Sequence, residues 1–250
     1  MSARLVLHSF RLLFRNFTEA LKVSVAPLVL AILLGIAAFS VSGVTPAMIA
    51  MASFTGRLPP NGLLAILFIG VVMLFTFSWI AVAWHRFVLL EEYPGYVPAV
   101  TDRPIWPYVW RTLGLGLLMF MVMTFLSIIV GMILPLTGEG AVGVVALFIG
   151  TALTYFWLRS ALILPAIAVG EELKLRDAWT VSGPSSGAIF GVALILVGLN
   201  LMVGMVQQTL IPSGAVAVIV SLAVGWMTLM LGSSILTTLY GHLVQNRPLV

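Results

Sequence analysis

Residues 23–42 read VSVAPLVLAILLGIAAFSVS, and no Asp, Glu, Lys or Arg interrupts them. Lys22 is the last charge before this run and Arg57 the first after it. Crossing the hydrocarbon core of a bilayer takes roughly 20 apolar residues of helix, so the stretch has the length of one span. Pro27 falls in its first turn, where a missing N–H costs little. Five further runs of the same kind follow at residues 63–84, 113–134, 142–162, 188–206 and 215–240. Pro59-Pro60-Asn61-Gly62 leads into the second. A turn holding Gly138, Glu139 and Gly140 separates the third from the fourth, and Ile211-Pro212-Ser213-Gly214 separates the fifth from the sixth. These runs are apolar on every side, whereas barrel strands alternate apolar and polar residues over about ten positions. The expected fold is an all-α integral membrane protein with six transmembrane helices.

Composition agrees. Only 8% of the residues are charged and 61% are hydrophobic, while a soluble domain carries roughly a quarter of its residues as Asp, Glu, Lys or Arg. So few charges cannot cover a soluble surface. That excludes a soluble globular protein, a disordered chain and, despite a net charge of +4, a nucleic-acid binder. The chain has no Cys, which removes disulfides, thiolate catalysis and Cys-ligated metal clusters together. His8, His85 and His242 are far apart in sequence, and no nucleotide or cofactor motif is present. We expect neither metal nor cofactor, and a single polytopic domain.

The distribution of charge sets the expected orientation. Six spans place both termini on one side. That side collects Arg4, Arg11, Arg15, Lys22, Arg86, Arg103, Arg111, Arg159, Lys174, Arg176 and Arg247, and the other collects Arg57. Eleven against one predicts both termini in the cytoplasm. The basic region before the first run extends to Lys22 and the run has full membrane length, so residues 1–42 read as a retained first helix rather than a cleaved signal.

Residues 1–22 have a helical period of their own. Arg4, His8, Arg11, Arg15, Glu19 and Lys22 recur at spacings of three and four, and Leu5, Leu7, Phe10, Leu13, Phe14, Phe17 and Leu21 fill the remainder. The pattern predicts an amphipathic helix lying in the cytoplasmic headgroup layer, with its cations toward anionic lipid or an acidic partner. Two other connectors share this character. Asp102–Arg111 (DRPIWPYVWR) carries Trp106 and Trp110, and residues 173–180 (LKLRDAWT) carry Trp179. Aromatic side chains with one polar edge favour this interface. The even-numbered spans end alike, at Trp84-His85-Arg86, Trp157-Leu158-Arg159 and Tyr240-Gly241-His242. We read the six spans as three hairpins compatible with a pseudo-threefold axis, followed by a cytoplasmic tail at 241–250.

Residues 159–183 read RSALILPAIAVGEELKLRDAWTVSG. The order is a basic residue in a helix, Leu-Pro-Ala, a small-residue stretch, Gly-Glu, then Asp-Ala-Trp and Ser-Gly. It resembles a motif of bacterial six-helix membrane proteins related to the membrane domain of glycerophosphodiester phosphodiesterases. The resemblance covers about 25 residues. It implies repeated hairpins with interfacial helices and a bacterial inner-membrane location. The activity of that family lies in a separate soluble domain, so no catalytic residue carries over. A second resemblance overlaps the first. Glu171, Glu172 and Arg176 satisfy EExxxR, while His242 and Asn246 satisfy HxxxN, as in intramembrane glutamate proteases of the CAAX-processing type. The intermediate Phe-x-x-x-His motif of those enzymes is missing. The two glutamates also open a charged connector, whereas a catalytic carboxylate needs shielding to raise its pKa.

No carboxylate falls inside a predicted span. Asn200 and Arg159 are the polar candidates at membrane depth, either as ligand contacts or, for Asn200, as an interhelical hydrogen bond. Arg159 is expected to snorkel to the cytoplasmic interface. Gly143/Gly150, Gly191/Gly198 and Gly225/Gly232 are seven apart and Gly187/Gly191 form a GxxxG, spacings that predict close helix packing. The function expected is that of a non-enzymatic accessory or scaffold component. It acts through the lipid bilayer and its anionic headgroups, and through a membrane-protein partner or a second copy of itself. The alternatives are a small-molecule or lipid transporter-like protein using Asn200 and Arg159, and the glutamate protease.

Overall fold

The computed structural model describes residues 1–137, 141–210 and 214–249. Among the described residues there are helices and no strands. The helices are α1 (Ser2–Arg15), α2 (Phe17–Ser42), α3 (Pro46–Thr55), α4 (Gly62–Leu90), α5 (Ile105–Thr137), α6 (Ala141–Ser160), α7 (Ile163–Val169), α8 (Leu175–Ser182), α9 (Ser186–Leu210) and α10 (Ala215–Leu243). A single 3-10 turn, Gly183–Ser185, joins α8 to α9. Six stretches are long and apolar enough to cross a membrane: α2, α4, α5, α6 with α7, α8 with α9, and α10. The chain is a multi-pass membrane protein. The turns expected at Gly138-Glu139-Gly140 and at Ile211-Pro212-Ser213 lie outside the described residues.

Every span is longer than its apolar run. α4 has 29 residues, about 44 Å at 1.5 Å per residue, against a hydrocarbon core of about 30 Å. The surplus extends each helix into the layer that holds the termini, called here the terminal face. Residues 1–22 do not form one helix. Asn16 leaves the helical region at φ −115° and ψ 36°, and its side-chain amide donates to the Leu12 carbonyl at 2.8 Å. An Asn side chain that satisfies a carbonyl of the last turn lets the helix stop there. Glu19 and Lys22, 3.7 Å apart, therefore belong to the first span. Pro27 consequently sits in the interior of α2 and not in its first turn.

α3 occupies what reads in the sequence as a loop. The Thr45 side chain accepts the Met48 N–H at 3.2 Å, Pro46 takes the first helical position, and Gly56 closes the helix at φ 67°. These are ordinary start and stop signals in ten residues too few for a span.

The bundle is tight at one end only. Buried residues cluster in Trp79–Leu89 of α4, Leu158–Ala168 across α6 and α7, Ile189–Ala193 of α9 and Met230–Tyr240 of α10. Toward the opposite face Leu67 and Phe68, Phe125 and Ile128, Met202 and Met205, and Ile219 and Leu222 are all exposed. The helices converge at the terminal face and open away from it. α4 is the hub, packing against α2, α5, α7 and α10, while α6 packs on α9. The hairpins are not packed equivalently. α2 and α4 pack extensively, but α9 and α10 scarcely meet among the described residues, and α1 packs against both. α1 therefore fills the groove between their terminal ends, with Leu5, Val6, Ser9 and Leu13 buried.

Close packing at glycine is rarer than the spacings predict. A Cβ on Gly150 would lie 3.1 Å from the Val197 side chain, and one on Gly191 would collide with the Ser2 Oγ of α1. Gly143, Gly187, Gly198, Gly225 and Gly232 face open space.

Candidate functional site at the terminal face

The tight end of the bundle is built around polar groups. His85 is completely buried on α4, with Nδ1 2.7 Å from Thr237 Oγ1 and Nε2 3.2 Å from the Tyr108 hydroxyl. The Thr237 hydroxyl donates to the Ser233 carbonyl at 2.7 Å, so toward His85 its oxygen accepts and Nδ1 carries the proton. In the neutral ring Nε2 then accepts from Tyr108. One side chain thus ties α4 to α5 and α10. Ser9 on α1 joins Thr238 on α10 through their hydroxyls at 3.0 Å. The Trp226 N–H donates to Ser24 Oγ at 2.7 Å, linking α10 to α2.

A second cluster fixes the connector after α4. The Arg86 guanidinium grips Glu92 with two hydrogen bonds, at 2.8 and 2.6 Å, and donates to the Ala168 carbonyl at 2.8 Å. Arg103 approaches the same carboxylate at 3.1 Å. A forked guanidinium on a carboxylate is the strong form of ion pair. Its third contact satisfies a carbonyl at the end of α7, where helix acceptors lack partners. The hydrogen bond from Arg86 holds the Glu92 carboxyl below its ordinary value of 4.5, helped by the nearby charges of Arg86 and Arg103 and opposed by partial burial. The Trp79 indole donates to the Pro98 carbonyl at 3.2 Å and holds the middle of the connector against α4.

Arg159 is enclosed and does not snorkel. Its residue exposure is 8%. Nε donates to Ser182 Oγ at 2.9 Å, one terminal nitrogen to the Tyr155 hydroxyl at 2.8 Å and the other to the Trp179 carbonyl at 2.6 Å. The Trp179 ring lies 4.1 Å from the guanidinium carbon, and its N–H donates to Ser160 Oγ at 3.1 Å. α8 folds back over the end of α6 and supplies carbonyl, hydroxyl and π-face, so the charge is held by neutral acceptors and an aromatic quadrupole. Trp179 therefore turns inward to Arg159 instead of serving as a free interfacial anchor.

The remaining sequence candidates separate. Asn200 is exposed, and its amide donates to the Leu196 carbonyl of its own helix at 2.9 Å. No hydrogen bond carries it to a second helix among the described residues. Glu171 accepts a hydrogen bond from the Tyr240 hydroxyl, and Glu172 and Arg176 are exposed. His242 Nδ1 is 2.8 Å from the Arg247 carbonyl. Positions 240 and 242 of a helix point about 200° apart, so Glu171 sits against the side of α10 that His242 does not occupy. No hydrogen bond or ion pair joins Glu171 or Glu172 to His242 among the described residues. Asn246 takes a left-handed φ of 56° just past the end of α10, the backbone role of a helix-terminating Asn. On α1, Arg4, Arg11 and Arg15 are exposed while His8 is half-buried. Lys22 is half-buried, and Trp106 and Trp110 are exposed.

Sequence reasoning singled out Arg159 but not His85, Arg86 or Glu92. A His-Arg pair closing an apolar run was a visible signal for the first two. Nothing in the sequence showed that Glu92, six residues later, turns back onto Arg86. Chemically the layer is a set of clasps between helices. His85 and Tyr108 are buried within it, and no group of three or more potential metal ligands occurs among the described residues. In comparisons with known proteins, the chain matches no protein-family model, no curated protein and no solved structure.

Proposed function

We propose that this chain is a non-enzymatic accessory or scaffold component of a bacterial inner membrane, with both termini in the cytoplasm. Its terminal face docks on anionic headgroups and its exposed spans receive a membrane-protein partner. The observation that carries the reading is the placement of α1. One side of it is buried against α9 and α10, which fixes its outer side, bearing Arg4, Arg11 and Arg15, as a rigid basic ledge. Positive residues near an anionic leaflet each contribute about 1 kcal/mol of attraction. The orientation rests on the eleven Lys and Arg of this side against Arg57 on the other. The transport alternative relied on Asn200, whose amide bonds within its own helix, and on Arg159, which α8 encloses. The protease alternative relied on Glu171 and His242, which are engaged elsewhere.

Two experiments test the proposal. The chain has no native Cys, so Arg57→Cys and Ser2→Cys can each be labelled alone. An impermeant maleimide applied to intact cells should reach position 57 and not position 2, and the reverse would overturn the orientation. Isolation in mild detergent followed by mass spectrometry should recover a stoichiometric membrane-protein partner. Repeated isolation as a lone monomer would remove the scaffold reading.

A further inference from the structure

A cavity of about 310 Å³ opens on the terminal face between α1, the end of α10 and the tail that follows it. Its titratable lining residues are His8 from α1, His242 from α10 and Arg247 from the tail, with no Asp or Glu among the lining residues. The rest is largely apolar, with Leu12, Leu89 and Leu249 prominent. Three basic side chains from three separate segments thus meet around one apolar pocket. We propose that this cavity binds the phosphate headgroup of an anionic amphiphile, with the phosphate between the three basic side chains and the start of the apolar chain against the leucines.

The tail forms the wall of the site. The Arg247 N–H donates to the Gly241 carbonyl at 2.8 Å, and the Arg247 carbonyl accepts from His242 Nδ1–H at 2.8 Å. One terminal nitrogen of Arg247 donates to the Leu89 carbonyl at 2.8 Å and the other reaches the Val88 carbonyl at 3.4 Å. Those bonds employ two of the five N–H donors of a guanidinium. Three remain for phosphate oxygens, which match the planar fork of Arg. With Nδ1–H committed to the carbonyl, Nε2 is the atom His242 offers a ligand. Arg4 and Arg11, a turn to either side of His8 on α1, are exposed and add to the positive field at the mouth. The volume falls at the small end of ligand cavities. It holds a headgroup and the first atoms of a chain, and the remainder of a lipid continues into the bilayer beside α1.

The site rests on the headgroup docking proposed for the terminal face and needs no protein partner. The test uses the full chain in non-ionic detergent and native mass spectrometry. The probes are dioleoylphosphatidylglycerol, dioleoylphosphatidylcholine and inorganic phosphate. The anionic lipid should be retained about tenfold more than the zwitterionic one. That preference should disappear both in the double variant His8→Gln/His242→Gln and in Gly241→Leu. Position 241 lines the cavity, and a Cβ there would lie 3.5 Å from Arg247 Cδ, so the leucine fills the space without removing a charge. Arg57→Gln should bind as the wild type does. Equal retention of the two lipids, or a preference untouched by both pocket variants, overturns the proposal. A preference lost in Arg4→Gln/Arg15→Gln but kept in the pocket variants also overturns it, while leaving the basic ledge of α1 intact. Displacement of the lipid by millimolar inorganic phosphate, with phosphate bound in its place, overturns the amphiphile in favour of free phosphate.

Discussion

Arg159 shows how a cation is accommodated near membrane depth without a carboxylate. Each hydrogen bond to a charged group contributes about 2 kcal/mol, and three neutral acceptors with one indole face together replace lost hydration. Arg159→Gln should therefore lower stability by about 2 kcal/mol, read as a lower thermal midpoint in detergent. Arg159→Lys should fail to restore it, because an ammonium cannot reach Ser182, Tyr155 and the Trp179 carbonyl in one plane. Glu92 gives a pH dependence. Its folded pKa is below the ordinary 4.5, so the native state holds the ionised form more strongly than the unfolded chain does. Its contribution is fully present above pH 4.5 and is lost as the pH falls through the lower folded value. Glu92→Gln should lower stability by about 1 kcal/mol at neutral pH and flatten the acid limb of a midpoint-against-pH curve. An acid limb identical to wild type would detach Glu92 from that transition. At this scale the sequence marked Arg159 as unusual because a cation ended an apolar helix. It placed the side chain wrongly because α8, which covers Arg159, returns from twenty residues further on.

At the scale of elements, α1 is the informative piece. Its period was legible in the first 22 residues, but its end was not. Asn16 is a single polar residue in a pattern that tolerates polar residues, and the charge repeat runs through it. Its seat was not legible either, since an apolar arc suits a lipid surface and a groove between helices equally. The seat has a clear test at Gly191, where Ser2 comes closest. Gly191→Val should push the start of α1 outward and speed tryptic cleavage after Arg4 several-fold, whereas Gly198→Val, on the same helix with open space beside it, should leave cleavage unchanged. Equal rates in the two variants would place α1 elsewhere. α3 was fully written in Thr45-Pro46 and Gly56, and was passed over because a length argument searching for spans ignores ten-residue helices.

The number of spans was legible because hydrocarbon thickness sets a length that hydropathy reads directly. The arrangement of the spans was not. Helices apolar on every side carry no stripe to name a neighbour, and lipid competes with protein for the same surfaces. The polar clasps choose the neighbours instead, and they lie at one end. Stability should be divided accordingly. Ile80→Ala, at a fully buried position, should cost about 2 kcal/mol or more. Leu67→Ala, at a position 57% exposed, should stay within about 0.5 kcal/mol. Comparable losses at both sites, measured by the same detergent unfolding assay, would mean that the open half is packed in the membrane.

The unequal packing also bears on the solvent around the protein. A cleft of about 470 Å³ between α2 and α4 is lined by Leu34, Val41, Leu64 and Phe68, and another of about 460 Å³ lies between α5 and α6. Apolar surface in a bilayer is not left bare, because the contacts forfeited at a void are regained as soon as a chain enters it. Acyl tails should intercalate there and widen the protein's cross-section in that leaflet. On the terminal side the buried clasps leave less of the bundle open to acyl chains. The protein should therefore carry a different number of boundary lipids in each leaflet.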